Sequence, residues 1–207
     1  LKTTLVYVSC TVLVQLVLGM AIALLMNMPI VGRGVLRGLF LVPWTIPSVV
    51  VAILWKWMLQ QQFGVLNYLL FTSHLTSTVN IAWFQDDLLA MMSIVMAAVW
   101  RQLPYMMVML LAGLQSVDES LLEAAAIEGA SGFQVFRYVT IPAIRPVIIA
   151  AVWISIMDNF QMFTIVFNMT AGGPVVATTT LSVATYRRAF TAYNFGQASA
   201  IGVIWMA

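Results

Sequence analysis

The chain has 207 residues, of which 62% are hydrophobic and only 8% are charged, and its formal net charge is +2. Soluble domains carry about 25% charged residues, so this composition excludes an ordinary soluble domain and predicts a protein that uses the lipid bilayer as its solvent. The small net charge argues against nucleic acid as a partner. A single cysteine and a single histidine exclude a disulfide framework and a cysteine-based metal site, and we expect neither a metal nor another cofactor.

Apolar runs long enough to cross a hydrocarbon layer of ~30 Å recur along the chain. The predicted spans cover residues 5–26, 35–59, 88–113 and 143–169, and a fifth begins near residue 196. Pro43 and Pro47 each remove a backbone donor, so we expect a kink or a local break in the second span. The sequence therefore predicts an all-α integral membrane protein with about five transmembrane helices. We treat residues 1–207 as a single domain and expect the sequence to be a fragment, truncated at both ends.

Two extramembrane loops are expected on one side of the spans. Residues 60–87 are polar, with a short surface helix predicted around residues 65–71. Residues 170–174 turn the chain into a second polar loop, which carries Arg187 and Arg188. Basic residues are divided equally between the two sides of the predicted spans, so the positive-inside rule gives no orientation.

A more heavily charged segment, residues 114–142, lies between the third and fourth spans and is too polar to sit in lipid. Ser116 to Glu119 and Ser131 to Gln134 both have the form of a capping box, which predicts two short helices joined by a turn at residues 129–131. Small residues give the first helix a narrow apolar face that another protein could approach closely. From these residues alone, a docking surface and a solvated loop both remain open.

The spacing within this segment resembles a known motif. Glu123-Ala124-Ala125, Gly129 and Pro142 match the EAA-x3-G-x9-I-x-L-P loop of binding-protein-dependent ABC-transporter permeases, with Val139 and Ile141 as apolar departures. The resemblance implies that residues 114–142 form a cytoplasmic coupling loop on which an ATPase docks. It also implies that Glu123, Ala124, Ala125, Gly129 and Pro142 are the docking residues.

Further stretches are similar to the sugar-transporting, maltose/glycerol-phosphate-like branch of that family. They cover residues 37–47, 55–58, 64–67, 110–115 and 169–174. The resemblance implies a permease subunit of an ATP-driven importer, which translocates a sugar or related polyol delivered by an extracytoplasmic binding protein. A second permease subunit, forming a heterodimer, and two ATPase subunits are the implied partners, in a bacterial or archaeal plasma (inner) membrane. Thr164 stands where many relatives have Asp, so the identity of the sugar is not carried over.

The chain itself is not expected to be an enzyme. A phosphate-binding P-loop requires a glycine directly before its lysine. The only lysines, Lys2 and Lys56, follow Leu1 and Trp55. Nothing in the sequence resembles a catalytic dyad or triad, so ATP hydrolysis is expected from a separate subunit.

Polar residues inside spans indicate a bundle interior or a water-filled path, because they are costly in lipid. The fourth predicted span is rich in them, including Asn159, Gln161, Thr164 and Asn168. Gln161, Thr164 and Asn168 follow the spacing i, i+3, i+7, so we expect one helical face to line the substrate path, with amides and hydroxyls suited to sugar hydroxyls. Hydrogen bonding to the partner permease is the alternative.

Arg101 and Asp158 are charged residues within predicted spans. In straight helices their depths differ by about 3 Å, which predicts an intramembrane ion pair. Such a pair would also suit a different class of protein, an ion-coupled secondary transporter. The coupling loop argues against that alternative, because an ion-coupled carrier has no need to dock an ATPase.

Overall fold

The computed structural model describes residues 1–29, 31–78 and 80–206, and the regular secondary structure in these ranges is helical throughout. The helices are α1 (Lys2–Asn27), α2 (Arg33–Thr45), α3 (Ser48–Met58), α4 (Val65–Thr72), α5 (Asp87–Gln115), α6 (Glu119–Ile127), α7 (Gly132–Val135), α8 (Ile141–Phe160), α9 (Thr164–Thr170), α10 (Leu181–Tyr186) and α11 (Phe195–Met206). Two π-helical segments, Phe136–Thr140 and Arg187–Thr191, follow α7 and α10. The predicted all-α class is confirmed.

Among the described residues, three helices are long and apolar enough to cross a membrane: α1, α5 and the continuous helix Gly132–Phe160. Helices α2 and α3 are together long and apolar enough for a membrane span, and the pair is bent by 95°. Helix α11 is apolar but shorter. The multi-pass membrane character is therefore confirmed. The described residues thus contain three spans, or four if α2 and α3 count as one, and with α11 this agrees in outline with the expected number of about five.

The expected break in the second span is found at Pro47. Helix α2 continues through Pro43 and ends at Thr45. Pro47 occupies the N-cap of α3. A residue that precedes proline is disfavoured in the helical conformation, which accounts for the end of α2 just before Ile46.

The fourth predicted span, residues 143–169, is wrong as a single helix. Helix α8 ends at Phe160, and α9 starts only at Thr164. Hydropathy alone cannot reveal this break, because α9 is itself apolar and buries Ile165, Val166 and Met169 within the protein. The hydropathy of α9 is therefore that of a membrane span, although α9 is a separate helix packed within the protein.

The second polar loop is also wrong over part of its length. Arg187 and Arg188 lie in a π-helical segment that directly continues α10. The three residues Leu181, Ser182 and Val183 are buried. Tertiary packing therefore stabilises a helix that the local sequence does not predict.

The chain divides into two compact units. The first contains residues 1–11, 46–101 and 158 onward, and the second contains residues 12–45 and 102–157. In the first unit, α3 packs against α9. The backbone N–H of Leu181 donates to Thr4 Oγ1 at 2.9 Å, which fixes the start of α10 to the start of α1.

In the second unit, the core lies between α1, α5 and α8, with Met106, Leu110 and Ile144 almost completely buried. A Cβ atom on Gly19 would lie 2.6 Å from Met106 Cγ. Small residues let membrane helices approach this closely. The helices that flank the segment between α5 and α8 are therefore closely packed in the second unit.

The same unit contains a buried polar contact. Ser155 Oγ donates to Gln15 Oε1, and Gln15 Nε2 donates to Gln102 Oε1 at 3.4 Å. All three side chains are at least nine-tenths buried. Because polar groups in an apolar interior are costly unless hydrogen-bonded, these contacts fix one arrangement of α1, α5 and α8.

Candidate functional site

The segment between α5 and the long helix Gly132–Phe160 is a helical hairpin, and its first helix is capped by Asp118. The Asp118 carboxylate accepts hydrogen bonds from the Ser120 hydroxyl at 2.8 Å and from the Ser120 backbone N–H at 3.0 Å. These two donors hold the pKa of the Asp118 carboxyl below its usual value. An acidic group at this position also suits the positive end of the helix dipole.

The first predicted capping box is therefore wrong. The Ser116 hydroxyl donates to the Gly113 carbonyl at 2.8 Å, so it serves the C-terminal end of α5 and does not cap α6. The sequence pattern was ambiguous because Ser116 and Asp118 are both good N-cap residues.

Helix α6 ends in a Schellman motif. Gly129 has φ +77°, a conformation that favours glycine. Its N–H donates to the Ala126 carbonyl at 3.0 Å, and the Ala130 N–H donates to the Ala125 carbonyl at 3.0 Å. The glycine of the sequence motif thus has a structural reason, since it reverses the chain while satisfying the last carbonyls of α6.

The second capping box is confirmed. Gln134 Oε1 accepts from the Ser131 N–H at 2.7 Å, and Ser131 Oγ accepts from the Gln134 N–H at 3.4 Å. The turn predicted at residues 129–131 is confirmed with it. The N-terminal ends of α6 and α7 are therefore both capped by side chains of the hairpin itself.

Pro142 does not end the loop, because the helix runs without interruption from Gly132 to Phe160. The Ile141 N–H bonds to the Phe136 carbonyl, five residues back. Proline lacks an N–H and its ring crowds the carbonyl four residues earlier. The wider π-helical turn before Pro142 accommodates both effects.

The hairpin buries almost nothing within this chain. None of the residues of α6 or α7 is buried. Ile127 is 88% exposed, Phe133 75% and Tyr138 73%. These three side chains were missed by the sequence analysis, although bulky apolar residues in a charged segment outside the spans were the available signal.

The predicted docking residues share this surface. Glu123 and Ala124 are exposed, while Ala125 is half-buried. A groove of about 330 Å³ runs between the two arms of the hairpin, lined by Ala125, Glu128, Gly129, Ala130, Gln134, Val135, Tyr138 and Val139. An exposed groove of small residues with bulky apolar side chains beside it can receive a protein partner.

The four residues expected along the substrate path are not brought to one helical face. Gln161 lies exposed in the turn after α8, and Thr164 is the first residue of α9. The spacing that joined Gln161 to Thr164 and Asn168 assumed one continuous helix, and that assumption is wrong. Asn159 is fully buried near the end of α8. Asn168 lies on α9, where its backbone carbonyl accepts from Lys56 Nζ at 3.4 Å.

Arg101 and Asp158 do not form the expected ion pair in the described part of the chain. Asp158 is exposed, whereas Arg101 is half-buried and its Nε atom is buried without a hydrogen-bond partner. The depth estimate could not show which way each side chain points around its helix axis. Among the described residues, no group of three or more His, Cys, Asp or Glu side chains could hold a metal ion.

Comparison with protein families gives a match over nearly the whole chain. Residues 15–207 match the model of the family described as "Binding-protein-dependent transport system inner membrane component".

Two curated relatives illustrate the similarity. The trehalose/maltose transport system permease protein MalF of Thermococcus litoralis is 36% identical over 197 residues, which cover 94% of this chain and 64% of the relative. The sulfoquinovosyl glycerol transport system permease protein SmoG of Agrobacterium fabrum is 31% identical over 192 residues, covering 92% of this chain and 61% of the relative. The chain thus spans less than two thirds of the length of these relatives.

A solved structure shows the same fold. A chain in the crystal structure of a bacterial ABC transporter involved in the import of the acidic polysaccharide alginate matches with a TM-score of 0.84. The sequence identity is 22%, and the match covers 98% of this chain and 71% of that chain.

Proposed function

Because the chain belongs to the family of binding-protein-dependent transport system inner membrane components, we propose that it is the permease subunit of an ATP-driven importer. In this proposal the chain forms half of a translocation path, together with a second permease subunit. Two ATPase subunits supply the energy, and an extracytoplasmic binding protein delivers the substrate. The proposed location is the plasma membrane of a bacterium or archaeon.

The observation that carries the proposal is the exposed hairpin. The N-terminal ends of its two helices are capped by Asp118 and Ser131, so these backbone N–H groups have partners within the hairpin itself. It nevertheless exposes Ile127, Phe133 and Tyr138. Ile127 lies between the helices that could cross a membrane, and Phe133 and Tyr138 lie in the first two turns of the long helix Gly132–Phe160. A preformed apolar surface at this position supports docking of a protein, and we assign that role to the ATPase, with Glu123, Ala124, Ala125 and Gly129 within the contact.

A sugar or a related polyol is the proposed substrate. The supporting observation is that relatives named for trehalose, maltose and sulfoquinovosyl glycerol are 31–36% identical to this chain. Helix α5 passes the test for a membrane span and separates residues 60–86 from the hairpin in the chain. With the hairpin in the cytoplasm, residues 60–86 would face the outside.

The ion-coupled alternative loses the feature that suggested it. That alternative uses Arg101 and Asp158 as a coupled pair, but Asp158 is exposed and Arg101 Nε is buried without a hydrogen-bond partner, which favours the other reading. We therefore propose ATP-driven transport alone.

The test is uptake of labelled sugars into proteoliposomes that contain the full-length chain with its candidate partners, with and without ATP. Gly129→Pro should abolish both uptake and co-purification of the ATPase, because proline cannot adopt φ +77° and lacks the N–H that bonds Ala126. Gly132→Ala is the matched control, since nothing lies within 4 Å of the added Cβ and its φ is not positive. The docking role is wrong if Gly129→Pro retains both ATPase binding and ATP-driven uptake.

A further inference from the structure

A pocket of about 440 Å³ lies in the first unit, beside the C-terminal end of α3. Its lining includes Lys56, Trp57, Gln60, Gln61, Phe84 and Asn168. These residues come from α3, from the turn after α3, from the segment before α5, and from α9. The pocket thus joins parts of the chain that are more than 100 residues apart in sequence, since Lys56 Nζ contacts the Asn168 carbonyl.

The walls of this pocket are fixed by a buried asparagine. Asn67 Nδ2 donates to the Gln61 carbonyl at 3.1 Å and to the Ile81 carbonyl at 3.2 Å. Its Oδ1 accepts from Trp83 Nε1 at 2.6 Å. Asn67 is 1% exposed, so water has little access to its side chain and does not replace these hydrogen bonds. The turn that carries Gln61 and the segment that carries Phe84 are therefore held in place without a ligand.

The side chains that line the pocket offer polar groups of several kinds and two aromatic rings. Gln60 provides an amide that both donates and accepts, and Lys56 provides a cation that only donates. Gln61 Oε1 accepts from Gln85 Nε2 at 3.4 Å, which leaves the Gln61 amide nitrogen as a donor and one further lone pair on its oxygen. The Asn168 amide nitrogen donates to the Thr164 carbonyl at 2.8 Å, which leaves its amide oxygen as an acceptor. Trp57 and Phe84 add apolar ring surface, and the lining contains no carboxylate.

This combination suits a pyranose ring. Sugar hydroxyls both donate and accept hydrogen bonds, so amides and an ammonium group can pair with them. The C–H face of the ring is apolar and can lie against an aromatic side chain. Binding sites of this kind place a few polar groups around an aromatic surface.

We propose that this pocket is a saccharide-binding subsite at the outer mouth of the transport path. The proposal rests on the proposed function, because it takes the sugar class and the outward orientation of residues 60–86 from it. The subsite would hold one sugar ring on its way from the binding protein into the membrane. Asn168 then belongs to the sugar path through its contact with Lys56 and not through a stripe along the fourth span.

The chain provides matched controls for a test. Gln61 lines the pocket while the adjacent Gln62 does not, and the aromatic Trp57 lines it while the exposed aromatic Phe63 does not. The test is saturation-transfer NMR of maltose, trehalose and sulfoquinovosyl glycerol with the full-length chain and its partners in nanodiscs. Trp57→Leu and Gln61→Ala should weaken binding of at least one sugar by about fivefold or more, as expected for the loss of one hydrogen bond or stacking contact. Gln62→Ala and Phe63→Ala should bind as the unmodified chain does.

Three outcomes would overturn the subsite. The first is that the unmodified chain gives no signal with any of the three sugars, and the second is that all four variants bind alike. The third is that Trp57→Leu and Gln61→Ala lower only the amount of protein inserted in the membrane, which would make Trp57 and Lys56 an interfacial anchor. Sugar binding that depends on Trp57 and Gln61, combined with a complete lack of ATP-driven uptake, would instead contradict the proposed function and leave the subsite in place.

Discussion

The connections that follow α6 and α9 both contain a glycine at positive φ, which follows Ala171 at φ +51° in the second case, but the surroundings of the two glycines differ. Gly129 has φ +77°, and an added Cβ would meet nothing within 4 Å. Gly172 has φ +88°, and an added Cβ would lie 2.7 Å from Thr179 Oγ1 and 3.2 Å from Val183 Cγ1. The first glycine is required by backbone conformation alone, and the second by conformation and packing together.

The polar groups of the two connections differ in the same way. After α9, the buried Thr178 hydroxyl donates to the Gly173 carbonyl at 2.6 Å, and the Thr179 hydroxyl donates to the Gly172 carbonyl at 2.9 Å. After α6, the caps are exposed and large apolar side chains such as Ile127 face outward. In the connection after α9, threonine hydroxyls of the same chain satisfy the backbone carbonyls. The hairpin after α6 instead leaves apolar side chains exposed, where another protein could bind.

The largest effect is expected for Gly172→Ala. A left-handed conformation costs an alanine about 1–2 kcal/mol, and overpacking adds about 1–3 kcal/mol. Gly129→Ala carries only the first of these costs, so its effect on the free energy of unfolding should be the smaller one. Thermal unfolding of the detergent-solubilised protein measures both, with Gly132→Ala as the control. Equal losses of stability for Gly172→Ala and Gly129→Ala would contradict the packing argument.

Thr178→Val should have the next largest effect on stability. The substitution keeps the shape of the side chain but removes the hydroxyl that serves the Gly173 carbonyl and contacts Thr170 Oγ1. An unsatisfied buried polar group costs about 1–3 kcal/mol. Thr191→Val, at an exposed position, should leave the unfolding temperature unchanged. Similar unfolding temperatures for both variants would mean that the threonine hydrogen bonds do not stabilise the connection.

A substitution at Ile127 tests the hairpin as a surface. Ile127 is 88% exposed, so Ile127→Ser should change the free energy of unfolding by no more than about 0.5 kcal/mol. If the ATPase buries this side chain, its loss should weaken ATPase binding by about tenfold or more. Val175→Ser is the control in the other connection, at a residue that is 90% exposed.

The affinity of the ATPase for the detergent-solubilised variants decides the outcome. Equal affinity for Ile127→Ser and the unmodified chain would remove Ile127 from the docking surface. A loss of affinity with Val175→Ser as well would indicate that exposed apolar residues bind the ATPase without specificity.

The sequence predicted those parts of the molecule whose structure depends on neighbouring residues. The second capping box, the turn at Gly129 and the break at Pro47 all follow from local backbone chemistry, and all were confirmed. The long apolar helices were predicted for the same reason, because hydropathy over a window of residues is a local property.

The parts that were missed depend on contacts distant in sequence. Helix α9 is separate from α8 and packs on α3. No pattern in residues 143–169 predicts this packing. Helix α10 begins where Leu181 bonds to Thr4 at the other end of the chain. The pocket around Lys56 likewise appears only when α3 and α9 come together, so the sequence could name Asn168 but not its surroundings.

The smallest effect concerns the pH dependence of the hairpin. Ser120 holds the pKa of the Asp118 carboxyl below its usual value of about 3.9 through its hydroxyl and its backbone N–H. A carboxyl whose pKa is lowered by folding contributes its full stability above the pKa of the unfolded state, and this contribution is lost as the pH falls through the lower folded-state pKa. We therefore expect α6 to lose protection against hydrogen exchange below about pH 4, whereas the threonine hydroxyls after α9 do not titrate there.

Hydrogen exchange of the two connections between pH 3 and 6, corrected for the intrinsic exchange rate, measures this difference. Asp118→Asn is the decisive variant, because asparagine still caps a helix but cannot change its charge in this range. It should reduce the pH dependence of α6 while keeping the helix. If the unmodified chain and Asp118→Asn show the same pH profile, the carboxylate does not hold α6 at its start, and the hairpin must owe its shape to the Schellman turn and to the cap at Ser131.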